Sequence, residues 1–171
     1  MIVAAAHFQG CTADDQASEL PVVHATMTSG NIYSEVIVPA GQSAKGGGKG
    51  FLPYPANMGM IKGVEGDTLV LLRTMIICDA LSVGSTLEIK PIALLELDSA
   101  GINVDIIVSV PVDTSLKTMQ IDGFVDLLTD YEPVRHILQT WFVNHRGFGA
   151  FVLKGWRDEK AAIRRIHQSN N

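Results

Sequence analysis

The chain has 171 residues, of which 47 % are apolar and 18 % are charged, and its net charge at pH 7 is −5. This length suits one domain with a sizeable core, so we expect a single domain over residues 1–171. The negative charge disfavours a general binder of nucleic acids or of anionic membranes, because both need a basic surface on the protein. Aromatic residues make up 6 % of the chain, too few to favour a platform for stacking single-stranded bases.

The two cysteines, Cys11 and Cys78, can form at most one disulfide. Cys78 ends the apolar run Met75-Ile76-Ile77, where we expect a buried and reduced thiol. A reduced thiol favours a cytoplasmic protein. No apolar run approaches the length of a membrane span, so we expect no membrane partner.

The first part of the chain predicts one strand and one glycine-rich segment. Residues 1–30 mix turn formers and acids with short apolar patches, and we interpret them as an N-terminal extension of unclear role. Residues 32–38 predict a strand that ends at Pro39. Residues 41–50, GQSAKGGGKG, predict either a flexible connection or an anion cradle built from glycine amides, Lys45 and Lys49.

The middle of the chain is rich in short strands. Gly84-Ser85 and residues 98–101 are the turns between them. Short β-rich segments close together predict a small barrel rather than a parallel sheet. The predicted strands are 68–78, 86–89, 92–97 and 104–110.

After residue 111 the apolar spacing becomes helical. A short helix is predicted over 122–128, and a longer one over Glu132–Asn144 with Pro133 in its first turn. A last strand over 150–153 and a terminal helix over 157–167 follow. We expect the solvated face of that terminal helix to carry Arg157, Lys160, Arg164 and Arg165.

Four segments, in this order, carry a family resemblance. They are LPYPANMGMI (52–61), EGDTLVLL (65–72), GSTLEIKPIALLELDSAG (84–101) and KGWRDEKAAIRRI (154–166). Together they resemble the soluble (family I) inorganic pyrophosphatases over most of the chain, from about residue 37 to residue 166. The resemblance implies a mainly β fold, a five-stranded OB-like barrel flanked by helices, often assembled as a homo-oligomer. It also implies hydrolysis of pyrophosphate with Mg²⁺ as cofactor.

The family's aspartate triplet, D-x-D-P-x-D, corresponds to residues 65–70 in this chain. The resemblance makes Asp67 the general base and Glu65 a metal ligand, whereas Val70 replaces the third carboxylate with methyl groups. Glu65 keeps the charge but extends the side chain by about 1.5 Å. Ligand distances must hold to about 0.2 Å, so the altered triplet predicts a degraded magnesium site.

A second family pattern, D-x-x-G-x-D-x-K, corresponds to residues 98–105. Asp98 keeps the first metal ligand, and Asn103 is a neutral amide in place of the second acid. Asp105 stands where the family has a phosphate-binding lysine. It either repels phosphate or serves as a substitute metal ligand.

The resemblance also assigns substrate-binding residues. Tyr54 matches the tyrosine of the family's Y-P-x-N-x-G segment. His145 and Arg146 correspond to a late Tyr-Lys pair of the family. This chain therefore keeps a cation at the second position and lacks the phenol at the first. Either Lys45 or Lys49 takes the place of another phosphate-binding lysine. The segment that carries a phosphate-binding arginine in the family is absent just before residue 52.

Each of these residues also has a structural interpretation. Glu65, Asp67 and Asp98 are suited to capping turns. His145 and Arg146 come at the end of a helix, where cations offset the exposed carbonyl groups.

Three functional hypotheses follow. We favour a pseudoenzyme that has lost efficient hydrolysis and serves as a binding or assembly module, with a phosphate-containing small molecule or a protein as partner. The alternative is an active inorganic diphosphatase in which Glu65, Asp67 and Asp98 hold one or two divalent ions. The third, a nucleic-acid binder using an OB-like barrel, is disfavoured by the charge and the few aromatic residues.

Overall fold

The structure, a computed structural model, describes residues 30–43, 52–65, 68–147 and 149–168. None of the helices in these residues has both the length and the apolar composition of a transmembrane helix. A 3₁₀ turn over Thr114–Leu116 precedes the first helix. The strands are β1 (Tyr33–Val38), β2 (Asn57–Glu65), β3 (Thr68–Ile76), β4 (Thr86–Ser99), β5 (Ile102–Pro111) and β6 (Val152–Asp158), and the helices are α1 (Phe124–Thr129), α2 (Glu132–Asn144) and α3 (Glu159–Gln168).

Five of the strands close into a ring. The hydrogen-bonded order is β1-β2-β3-β5-β4, and β1 pairs back onto β4. All pairs are antiparallel except β3 with β5, and β6 adds to β4 outside the ring. The predicted five-stranded barrel with flanking helices is therefore confirmed.

Two apolar clusters lie on opposite faces of the strands. In β5, Ile106 and Val108 belong to one cluster, whereas Ile107 belongs to the other, because successive side chains of a strand point to opposite faces. Helices α1 and α2 cover the first cluster through Leu127, Leu138, Trp141 and Phe142. Helix α3 covers the second cluster through Ala162 and Ile166.

The long strand β4 replaces the two strands predicted over 86–89 and 92–97. Pro91 lies inside β4, where the register with β5 shifts between Pro91 and Ala93. Proline lacks an amide hydrogen, and such an irregularity is where a strand tolerates it. The predicted break at this point was wrong.

Strand β2 was not predicted from the sequence. It contains Gly59 and Gly63 and lacks the β-branched alternation typical of strands. It forms because β1 and β3 both pair with it. A Cβ atom on Gly59 would lie 2.3 Å from Ser34 Oγ on β1, so this close approach requires glycine.

The buried side-chain amide of Asn57 links the segment before β2 to the segment after β3 by hydrogen bonds. Its Oδ1 accepts hydrogen bonds from the amides of Ala40 and Leu81, at 3.1 and 2.9 Å, and its Nδ2 donates to the carbonyl of Asp79 at 2.9 Å. Asn57 is the asparagine of the Y-P-x-N-x-G segment. Its side chain therefore stabilises the fold around β2 rather than contacting a ligand.

Cys78 is buried with a free thiol, as predicted. Burial raises the pKa of this thiol to about 11, with the charge of Asp79 as a further cause. It is therefore protonated and unreactive near neutral pH. Cys11 lies outside the described residues.

The C-terminal elements differ from their predictions only at their ends. Helix α2 has the predicted bounds. Strand β6 extends from Val152 to Asp158 rather than over 150–153, so Arg157 lies in a strand and not in the terminal helix. Helix α3 then begins at Glu159.

Candidate functional site

A cavity of about 290 Å³ lies between the C-terminal end of α2 and strands β1 to β5. Its polar lining groups are Tyr54, Arg73, His145 and Arg146, and the remaining lining side chains are aliphatic or aromatic. Three of the predicted substrate-binding residues therefore line one cavity. No acidic residue of the described chain lines it.

Stacked rings form the wall of this cavity at the end of α2. Trp141 and His145 are four residues apart on the helix, so they share one face, and their rings stack at 4.1 Å with an angle of 7°. The Tyr54 ring lies 4.4 Å from the Trp141 ring, and the Phe151 ring lies 5.4 Å from the His145 ring. The Trp141 indole N–H also donates to the carbonyl of Pro53 at 2.8 Å, which holds the Tyr54 segment against α2.

His145 is neutral near pH 7. Burial lowers its pKa, and the nearby charges of Arg146 and Arg73 lower the pKa further. Nδ1 lies 3.0 Å from the carbonyl oxygen of Phe142, and a carbonyl only accepts hydrogen bonds, so the ring proton is on Nδ1. The histidine therefore adds no positive charge to the cavity.

Two arginines supply that charge. Arg73 lies on β3, in register with Met60 on β2 and Ile106 on β5. Arg146 follows α2, and its guanidinium carbon lies 5.8 Å from the centre of the Phe151 ring. Within the described ranges neither arginine forms an ion pair with a carboxylate. Both are exposed, so a dissolved anion can reach them.

Arg73 was not predicted from the sequence. The signal was a single cation in the apolar strand that begins at Thr68, placed between Leu72 and Thr74. Leu72 and Thr74 are buried, whereas Arg73 points to the opposite face and reaches the cavity.

Asp98 holds the β4–β5 hairpin turn. Its Oδ1 accepts a hydrogen bond from the amide of Gly101 at 2.9 Å. Ala100 and Gly101 both have positive φ, at 53° and 84°, which this bond helps to fix. Asp98 thus has the turn-capping contact of its structural interpretation, and its assignment as a metal ligand stays a prediction.

Asp105 is paired with a cation from α3. Its Oδ2 lies 2.7 Å from Arg165 Nε, and both side chains are largely shielded from solvent. The sequence predicted that Arg165 lies on the solvated face of the terminal helix. Instead, Arg165 is paired with Asp105 and is only partly exposed. Arg73, Asp105 and Arg165 line a second cavity of about 470 Å³ beside the first.

Asn103 also has a cationic partner. Its side-chain carbonyl accepts a hydrogen bond from Lys154 Nζ on β6 at 2.8 Å. Two positions depart from the second family pattern, Asn103 and Asp105, and each contacts a cationic side chain from the C-terminal part of the chain.

The described residues do not fit a cluster of magnesium ions. No group of three or more His, Cys, Asp or Glu side chains that could hold a metal occurs among them. Asp67, Lys45, Lys49 and the side chain of Glu65 lie outside the described residues. The metal set Glu65, Asp98 and Asp105, and the catalytic role of Asp67, therefore remain predictions.

Comparison with solved structures shows that this architecture is the fold of the soluble inorganic pyrophosphatases. The inorganic pyrophosphatase from Thermus thermophilus superposes with a TM-score of 0.69 at 19 % identity, over 88 % of this chain and 94 % of that one. The Helicobacter pylori inorganic pyrophosphatase gives a TM-score of 0.69 at 14 % identity, over 81 % and 91 % of the two chains. The type I enzyme from Toxoplasma gondii gives 0.68 at 11 % identity, over 88 % and 83 %.

No protein-family profile and no curated protein matches the sequence. The resemblance found in the four segments is therefore confirmed as a likeness of fold.

Proposed function

We propose that this protein has lost efficient Mg²⁺-dependent hydrolysis of pyrophosphate and acts as a binding or assembly module. The 2.7 Å ion pair between Asp105 and Arg165 carries the proposal. The family pattern has a phosphate-binding lysine at the position of Asp105. An acid that is already neutralised by the protein's own arginine supplies neither a cation for phosphate nor a free carboxylate for a metal.

Loss of oxygen donors supports the same proposal. Val70 is a half-buried apolar side chain where the family pattern has a carboxylate. Lys154 donates to the oxygen of Asn103, which places a positive charge beside a position that would have to hold Mg²⁺. The Lys154 ammonium group and a divalent cation beside Asn103 would repel each other. The altered residues therefore disfavour a second or third divalent ion.

The decisive experiment measures phosphate release from pyrophosphate by the full chain in separate Mg²⁺, Mn²⁺, Zn²⁺ and Co²⁺ series at millimolar concentrations. We expect no release above the no-protein control with any of the four metals. An active inorganic pyrophosphatase in the same series serves as the positive control. Robust turnover would contradict the proposed loss of hydrolysis.

A second candidate is an active diphosphatase with an altered metal site. The meeting of Tyr54, His145 and Arg146 in one cavity favours it, because these residues correspond to the family's substrate-binding groups. Asp67 would then be the general base, with Glu65 and Asp98 as ligands of Mg²⁺ or another divalent ion. Turnover in any one metal series would support this candidate.

We also propose a cytoplasmic protein that forms a homo-oligomer, with pyrophosphate, another phosphate-containing molecule or a protein as its partner. The free, buried thiol of Cys78 supports a reducing compartment. Homo-oligomers are common among proteins of this fold by the resemblance described above. Light scattering coupled to size exclusion measures the assembly.

A further inference from the structure

The cavity beneath α2 combines an apolar lining with two arginines that form no ion pair with any carboxylate of the described residues. Arg73 and Arg146 enter it from separate elements, β3 and the end of α2, and both act on the pKa of His145. Ile37, Met60 and Val104 are among the apolar side chains that complete the lining, and all three are at least partly exposed. The arrangement differs from a Mg²⁺–phosphate site, which holds its ion through carboxylates, because no acidic residue of the described chain lines this cavity.

The charges of this cavity select an anion. Neutral His145 adds no charge, and no acidic residue of the described part of the chain lines the cavity. Asp105 is bound to Arg165, and Asp98 is bound to the Gly101 amide. Guanidinium groups match carboxylate and phosphoryl oxygens in a fixed planar geometry, so the two arginines suit an acid group without an intervening metal.

The apolar lining selects the rest of the ligand. An inorganic anion would leave the exposed faces of Ile37, Met60 and Val104 against water or against its own charge. An apolar body attached to the acid group would remove this surface from water, which is favourable at about 25 cal/mol per Å². The cavity volume, about 290 Å³, is at the lower end of small-molecule sites.

We propose that this cavity binds a small organic anion directly and without metal, with the acid group on Arg73 and Arg146 and the apolar body against Ile37, Met60 and Val104. This inference rests on the proposed binding function and assigns it a ligand class. The acid group is a carboxylate or a phosphonate-like group, since both present oxygens to guanidinium in the same way.

The test is calorimetric titration of the full chain in EDTA with benzoate and with phenylphosphonate. Benzyl alcohol, which lacks the charge, and inorganic phosphate, which lacks the apolar body, are the matched control ligands. We expect at least one of the two aromatic acids to bind about tenfold more tightly than both controls. The tighter of the two acids identifies the acid group.

Variants locate the binding. We expect Arg73→Gln and Arg146→Gln each to weaken the aromatic acid about tenfold, whereas Arg164→Gln leaves its affinity unchanged. Arg164 is an exposed arginine on α3 that does not line the cavity. Circular dichroism confirms that each variant is folded, and ligand should shift the NMR signals of the His145 ring in the wild-type protein.

Four results would overturn the inference. They are failure of both acids to bind the folded protein, binding that requires Mg²⁺, equal affinity for benzyl alcohol, and equal effects of Arg73→Gln and Arg164→Gln. Turnover of pyrophosphate contradicts the proposed loss of hydrolysis but leaves a positive titration in EDTA unaffected. Failure of the two ideas is therefore distinguishable.

Discussion

His145 makes the stability of this protein depend on pH. Its ring is stacked against Trp141 and Phe151, and burial lowers its pKa below the ordinary value of 6.5. In the interval between the lowered pKa and 6.5 the unfolded chain binds the proton and the folded protein does not. Falling pH through this interval therefore favours unfolding, whereas above 6.5 the group has no effect.

The corresponding prediction concerns His145→Phe, which keeps an aromatic ring and removes the titration. We expect the melting temperature of the wild-type protein to fall more steeply than that of the variant between about pH 7 and pH 5. His136→Phe, at an exposed position of α2, is the control and should keep the wild-type slope. Parallel curves for wild type and His145→Phe would show that the folded protein does not favour the neutral ring.

Gly59 permits β1 and β2 to approach closely. A Cβ atom there would lie 2.3 Å from Ser34 Oγ and 3.0 Å from the backbone oxygen of Glu35. We expect Gly59→Ala to lower the free energy of unfolding by about 1–3 kcal/mol, because a packed interior resists added atoms. Urea denaturation measures the change.

Two further variants test the cause of this loss. Gly155→Ala, on β6 with no atom within 4 Å of the added carbon, should change stability by less than about 0.5 kcal/mol. The double variant Ser34→Ala/Gly59→Ala should recover part of the loss, and only part, because the backbone contact with Glu35 remains. An unchanged midpoint for Gly59→Ala alone would contradict the close approach.

At the scale of elements, the pair of Asp105 and Arg165 fastens α3 to β5. The side chains are 24 % and 32 % exposed, so solvent weakens this pair less than a surface pair. Helix α3 also buries Ala162 and Ile166 in the second apolar cluster. The ion pair therefore adds a polar tie to a helix that is already held by packing.

We expect Asp105→Asn to lower the free energy of unfolding by about 1 kcal/mol and to speed amide hydrogen exchange in α3. The matched control is Glu96→Gln, which breaks the pair of Glu96 with Arg157, an arginine that is 63 % exposed. That change should cost less than about 0.5 kcal/mol and leave exchange in α3 as it was. Equal effects of the two substitutions would argue against a special role for Asp105.

Local patterns predicted some elements well and others poorly. Helix α2 has apolar residues at a spacing of three and four and Pro133 in its first turn, and both signals are local. Strand β2 carries two glycines and a lysine among its residues, so its own propensity is weak. Its neighbours on both sides determine its conformation through hydrogen bonds that sequence periodicity does not contain.

At the scale of the whole molecule, the barrel brings distant segments to one cavity. Tyr54 comes from the segment before β2, Arg73 from β3, and His145 and Arg146 from the end of α2. Motif matching found three of these residues because their sequence neighbours resemble those of a known family. Arg73 belongs to no such pattern and was found only through the register of β3 with β2 and β5.

Residue types and their spacing along one segment predicted a small barrel of strands, the long helix α2, and non-acidic side chains, Val70 and Asn103, where the resembled pattern has acids. These properties depend on residue identity and on spacing along one segment. The tertiary structure alone decided that Arg165 neutralises Asp105 across 60 residues and that Arg73 shares a cavity with Arg146. Such pairs form only when the barrel closes, because contacts between distant segments depend on strand register and helix packing rather than on any local pattern.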